Sequence, residues 1–126
     1  MNSTPVPATT RILVIDDDPL SRSLIETLLM KLGYNVLAEE DGTSGIIVAK
    51  NNKPDIILMD INMEGVDGFQ ATRELKGDDK TRNIPIIAVT AYQEKEAQAK
   101  EMGFDSFHVK PVNIQNLNED IKRLVI

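Results

Sequence analysis

The sequence has no cysteine, a single histidine, and too few basic residues to balance its acids. It carries 14 Lys and Arg against 20 Asp and Glu, a net charge of -6. Without cysteine no disulfide framework can form, which suits a cytoplasmic protein. The lone His108 has no partner at metal-ligand spacing and is expected to be a structural strand residue. The acidic balance argues against a nucleic-acid surface, because phosphate backbones are met by basic patches. No window approaches the ~20 consecutive apolar residues that span a bilayer, so no membrane partner is expected. Residues 1–10 lack the basic start and apolar core of a signal peptide. With Pro5, Pro7 and four Ser/Thr they read instead as a flexible tail. The Met1 start favours a stand-alone protein.

What is present is globular. Of the 126 residues, 41% are hydrophobic and 27% charged, enough for one domain with a real core over 11–126. Short apolar runs at 11–16, 34–39, 55–60, 84–90 and 104–109 read as buried strands. Amphipathic stretches at 19–32, 43–52, 68–76, 93–102 and 113–125 read as helices between them. Strict alternation of the two predicts a parallel α/β sheet with right-handed crossovers. Asp18 is positioned to cap the first helix, Pro19 to open it and Gly33 to close it in a left-handed conformation. Leu20, Leu24 and Leu28, with Ile25 and Leu32, form an apolar face on that helix. In the last helix Ile114, Leu117, Ile121, Leu124 and Val125 share one stripe that should dock on the sheet. The fourth helix offers only Ala97, Ala99 and Met102. It is either a solvated surface helix or a mobile, partner-facing one.

The chemistry lies at the strand ends. Asp16, Asp17 and Asp18 follow the first apolar run, and Asp60 ends the third. Ligands of open α/β sheets bind outside the carboxyl ends of the strands, so these acids point at one region. Unit charges ~4 Å apart repel by about 4 kcal/mol at an effective dielectric near 20, a cost that a hard cation relieves. The fourth strand ends in Thr90-Ala91 and the fifth in Lys110-Pro111. Asp16, Asp17 and Asp60 contribute -3 and Lys110 +1, so a divalent cation would bring the cluster to zero. Oxygen ligands for a metal, an ammonium and a hydroxyl together make a cradle for a phosphoryl group.

Val14-Ile-Asp-Asp17, Leu58-Met-Asp60, Asp67-Gly68, Val89-Thr-Ala91 and Val109-Lys-Pro111 together resemble the receiver domain of response regulators, the phospho-accepting module of two-component signalling. The resemblance covers residues 11–126. It implies a flavodoxin-like doubly wound (βα)5 fold with strand order 2-1-3-4-5. It makes Asp60 the phospho-acceptor, with the phosphoryl group supplied by a histidine kinase or a histidine phosphotransfer protein. Mg2+ would be held by Asp17, Asp60 and the main-chain carbonyl of Asn62, and by Asp16 through water. Lys110 would pair with the phosphoryl oxygens, while Thr90 and Phe107 occupy switch positions. The Lys110-Pro111 bond is cis in the family. The implied output is a phosphorylation-dependent change around the fourth helix and fifth strand that a downstream protein reads. Such a domain is regulatory, not an enzyme, although it assists its own phosphorylation and dephosphorylation.

The chain departs from the family pattern at Glu64, where proline is common. Glu64 is expected to be a solvated loop residue, with a role as an extra metal or water ligand as the alternative. Tyr92 and Asn62 stand at the rim, where side chains commonly tune dephosphorylation. Other readings remain. A metal-dependent aspartyl-phosphate phosphohydrolase needs an acid two residues past its nucleophile, and here Asn62 stands there. A flavin-binding module needs a Ser/Thr-rich phosphate loop, which Asp16-Asp-Asp18 would repel. A receiver-like docking module that is never phosphorylated would not need all five site positions filled.

Overall fold

The computed structural model describes residues 10–125. Five strands and five helices alternate: β1 (Arg11–Ile15), α1 (Pro19–Lys31), β2 (Asn35–Glu39), α2 (Gly42–Asn52), β3 (Ile56–Met59), α3 (Gly68–Lys76), β4 (Ile86–Thr90), α4 (Glu96–Glu101), β5 (Ser106–Val109) and α5 (Ile114–Val125). The strands form one parallel sheet in the order β2-β1-β3-β4-β5, the flavodoxin-like arrangement implied by the resemblance. β1, β3 and β4 lie inside the sheet, and except for Arg11 every residue in them is buried. This explains why they read as unbroken apolar runs.

Alternate strand residues feed two cores. One holds Leu13, Ile15, Ile57, Met59, Ile86 and Ala88 beneath α2, α3 and α4, with Phe107 packed against it. The other holds Ile12, Val14, Ile56, Leu58, Ile87 and Val89 beneath α1 and α5. As expected, α5 turns Leu117 and Ile121 inward and packs Ile114, Leu124 and Val125 against the second core. Asp18 caps α1 by accepting from Leu20 N, and Gly33 follows the helix at φ 96°. The expected tail, residues 1–10, lies outside the described residues apart from Thr10. That residue is buried, and its carbonyl accepts from Asn35 N.

Two helices correct the sequence expectations. The inward stripe of α1 is Ile25 and Leu29, whereas Leu20 is 82% exposed and Leu24 56%. The stretch 93–102 is not one helix. Gln93–Lys95 form a single 3-10 turn before the six residues of α4, in which Ala99 alone is buried.

Candidate functional site

Each parallel strand delivers its last residues to the same sheet edge. β1 and β3 are in register through Ile15 and Met59, so the residues that follow them, Asp16 and Asp60, emerge side by side. The Asp60 N–H bonds to the Ile15 carbonyl at 2.9 Å, extending the ladder to the site itself. One carboxylate oxygen from each of Asp16, Asp17 and Asp60 falls within a cluster less than 4.8 Å across. Asp16 and Asp60 are buried, at 2% and 7% exposure, while Asp17 is exposed.

Both buried acids are hydrogen-bonded. Asp16 accepts from Ser21 Oγ at 2.8 Å, from Asp18 N at 2.9 Å and from Lys110 Nζ at 2.8 Å. Asp60 accepts from Asn62 N at 3.1 Å and from Lys110 Nζ at 3.0 Å. Lys110 reaches them across the sheet from the end of β5, and its peptide bond to Pro111 is cis. Burial pushes the Asp60 carboxyl above its ordinary pKa; Lys110 opposes that rise, and the charge of Asp16 adds to it. Burial also works against the Lys110 ammonium, but hydrogen bonds to Asp16 and Asp60 outweigh it and raise its pKa.

A hard divalent cation fits this donor set. Three carboxylates supply oxygen ligands, and three acids against one lysine leave a formal charge of -2 to be balanced. Beside the cluster opens a cavity of about 330 Å3, lined in part by Asp17, Asn62, Glu64, Phe69 and Lys95. The Asn62 backbone touches Asp60 through its N–H. Thr90 is fully buried at the end of β4, its Oγ1 accepting from Tyr92 N at 3.4 Å. Phe107 is half-buried on β5.

Comparison with known proteins settles the family. Residues 12–122 match the model of the response regulator receiver domain. The chain belongs to that family. Protein PilH of Pseudomonas aeruginosa is 38% identical over 117 residues, covering 91% of this chain and 97% of its own. The polar-differentiation response regulator DivK of Brucella anthropi is 34% identical, covering 88% and 92%. Among solved structures, the receiver domain of a Pseudomonas aeruginosa sensor histidine kinase superposes with a TM-score of 0.86 at 32% identity, covering 93% and 98%; it holds a magnesium ion in its active-site cleft. Chemotaxis protein CheY4 of Vibrio cholerae superposes at 0.84 with 26% identity, covering 92% and 98%. The chain is thus a receiver domain of two-component signalling, a regulatory module.

Several contacts in this receiver domain escaped the sequence reading. Ser21, which holds Asp16, lies one helical turn past the β1 acids, a spacing that could have flagged it. Lys95 lines the cavity and lies 5.8 Å from the centre of the Phe69 ring. Glu64 does not join the acidic cluster through its side chain; its backbone N–H bonds Asp17 Oδ2 at 3.2 Å. His108 proves not to be isolated, since its Nε2 lies 2.6 Å from Asp120 Oδ2 on α5.

Proposed function

We propose that this receiver domain is a Mg2+-dependent phospho-acceptor switch that takes a phosphoryl group onto Asp60 from a phosphohistidine of a histidine kinase or phosphotransfer protein. The observation that carries the reading is the convergence of Asp16, Asp17 and Asp60 within 4.8 Å, with Lys110 bonded to two of them. Asp17, Asp60 and the Asn62 carbonyl would hold the ion directly, and Asp16 through water. When bound, Mg2+ supplies positive charge that offsets repulsion between an anionic donor and an anionic acceptor.

The protein's own groups do the rest. An Asp60 carboxylate oxygen attacks phosphorus, an O–P bond forms, and the P–N bond to the donor imidazole breaks with its electron pair leaving on nitrogen. Lys110, already 3.0 Å from Asp60 Oδ2, places an ammonium where the phosphoryl oxygens arrive. The sheet holds the acceptor in place, so orientation comes with the fold rather than at the moment of reaction. Phosphorylation replaces one charge on Asp60 by about two and adds acceptor oxygens. Thr90 ends β4, just before the segment leading to α4, and its hydroxyl would turn to answer that change. With Ala99 its sole buried residue, α4 is lightly anchored. The surface of α4 and β5, including half-buried Phe107, would then present the signal to a downstream protein. Shifting such an equilibrium from 1:99 to 99:1 needs about 5.5 kcal/mol of differential interaction.

Incubation with Mg2+ and a small acyl-phosphate donor should add the mass of one phosphoryl group to the wild-type protein. Neither Asp60→Asn nor wild type with excess chelator should gain it. A modified Asp60→Asn protein would remove the proposal.

A further inference from the structure

Glu64 lies in the loop after β3, 47 residues from Asp17, yet its backbone N–H donates to Asp17 Oδ2 at 3.2 Å. Asp16 has three hydrogen-bond donors and Asp60 two. Among the described residues, Glu64 N–H is the one donor to the exposed Asp17 carboxylate. The Glu64 side chain is not among the acids that converge. Its link to the cluster therefore runs through the main chain and not through its charge.

We infer that the Glu64 N–H is a positioning group for Asp17, anchoring one carboxylate oxygen so that the side chain is already ordered for a divalent cation. This rests on the metal-binding reading above. An ionised carboxylate has about four lone-pair sites, so accepting one N–H leaves it able to ligate an ion. An exposed aspartate without such a bond would lose rotamer freedom on binding, and that loss would weaken the affinity. Hydrogen bonds to metal ligands act in this way at characterised centres.

The donor can be deleted by substitution. Gly65 has φ 76°, and proline is common immediately before a positive-φ glycine in turns. Proline at 64 has no N–H, whereas alanine or glutamine keeps it and discards the charge.

Calorimetric titration with Mg2+ alone should show Glu64→Pro binding roughly three- to tenfold more weakly than wild type, below the usual roughly 10–100-fold of outer-shell effects because Asp17 is exposed. Glu64→Ala and Glu64→Gln should stay within about twofold of wild type, since an exposed charge is well screened. A second readout does not depend on the proline variant. Without metal, exchange of the Glu64 amide hydrogen, followed by NMR, should quicken severalfold in Asp17→Ala. Wild-type affinity in Glu64→Pro would overturn the inference. So would equal losses in Glu64→Ala and Glu64→Gln, or an amide indifferent to Asp17→Ala. A wild type that does not bind Mg2+ at all would overturn the metal-binding reading, and this role with it.

Discussion

Asp60 keeps a carboxyl group buried beside a second buried acid, and burial raises its pKa despite Lys110. A carboxyl whose pKa is higher in the folded state contributes stability below its unfolded value near 3.9, and that contribution is lost as pH rises through the folded value. Asp60→Asn carries no such loss. Its thermal midpoint should exceed that of wild type near pH 7, and the difference should shrink as the pH approaches 4. Asp120 behaves in the opposite way. Partial burial raises its pKa, but hydrogen bonds from Ser106, His108 and Arg123 outweigh that and lower it. Its contribution is therefore present above the unfolded value and fades as pH falls through the lowered one. Asp120→Asn should cost roughly 1 kcal/mol at neutral pH in urea unfolding and flatten the acid limb of the stability profile. The acids of the main site were legible because they end apolar runs. The His108–Asp120 pair was not, because its members lie 12 residues apart on a strand and a helix whose contact only the fold decides.

At the scale of the element, α1 shows where sequence pattern runs out. Leu20, Leu24 and Leu28 satisfy helical spacing as well as Ile25 and Leu29 do, so periodicity alone cannot say which stripe faces the sheet. The second core settles it, receiving Ile25 and Leu29. Leu29→Ala should therefore cost about 2–5 kcal/mol in chemical denaturation. Leu24→Ala should stay within about 0.5 kcal/mol of wild type. The start of α3 is set by close approach. A Cβ on Gly68 would lie 2.6 Å from both the Asp60 carbonyl oxygen and the Ile61 Cα. Gly68→Ala must push the loop after Asp60 aside, costing about 1–3 kcal/mol and, on the proposed function, slowing phosphoryl uptake in the acyl-phosphate assay. The split of the 93–102 stretch was not readable, since a polar run shows neither a break nor its place.

For the whole molecule, strict alternation of strand and helix was enough to call a parallel sheet, but not to order its strands. That order came from resemblance, and the observed β2-β1-β3-β4-β5 sheet agrees with it. The order matters because it sets β1 next to β3, and so Asp16 beside Asp60, with β4 and β5 carrying Thr90 and Lys110 to the same edge. A site assembled from four strands cannot form in part, which ties its chemistry to the integrity of the fold. The most direct test of this account is the Mg2+ dependence of phosphoryl incorporation from an acyl-phosphate donor, with the modified residue mapped by peptide mass. The rate of incorporation should be half-maximal at the Mg2+ concentration that half-fills the site in direct titration, and the label should sit on Asp60 alone. Incorporation indifferent to Mg2+, or label on any other residue, would contradict it.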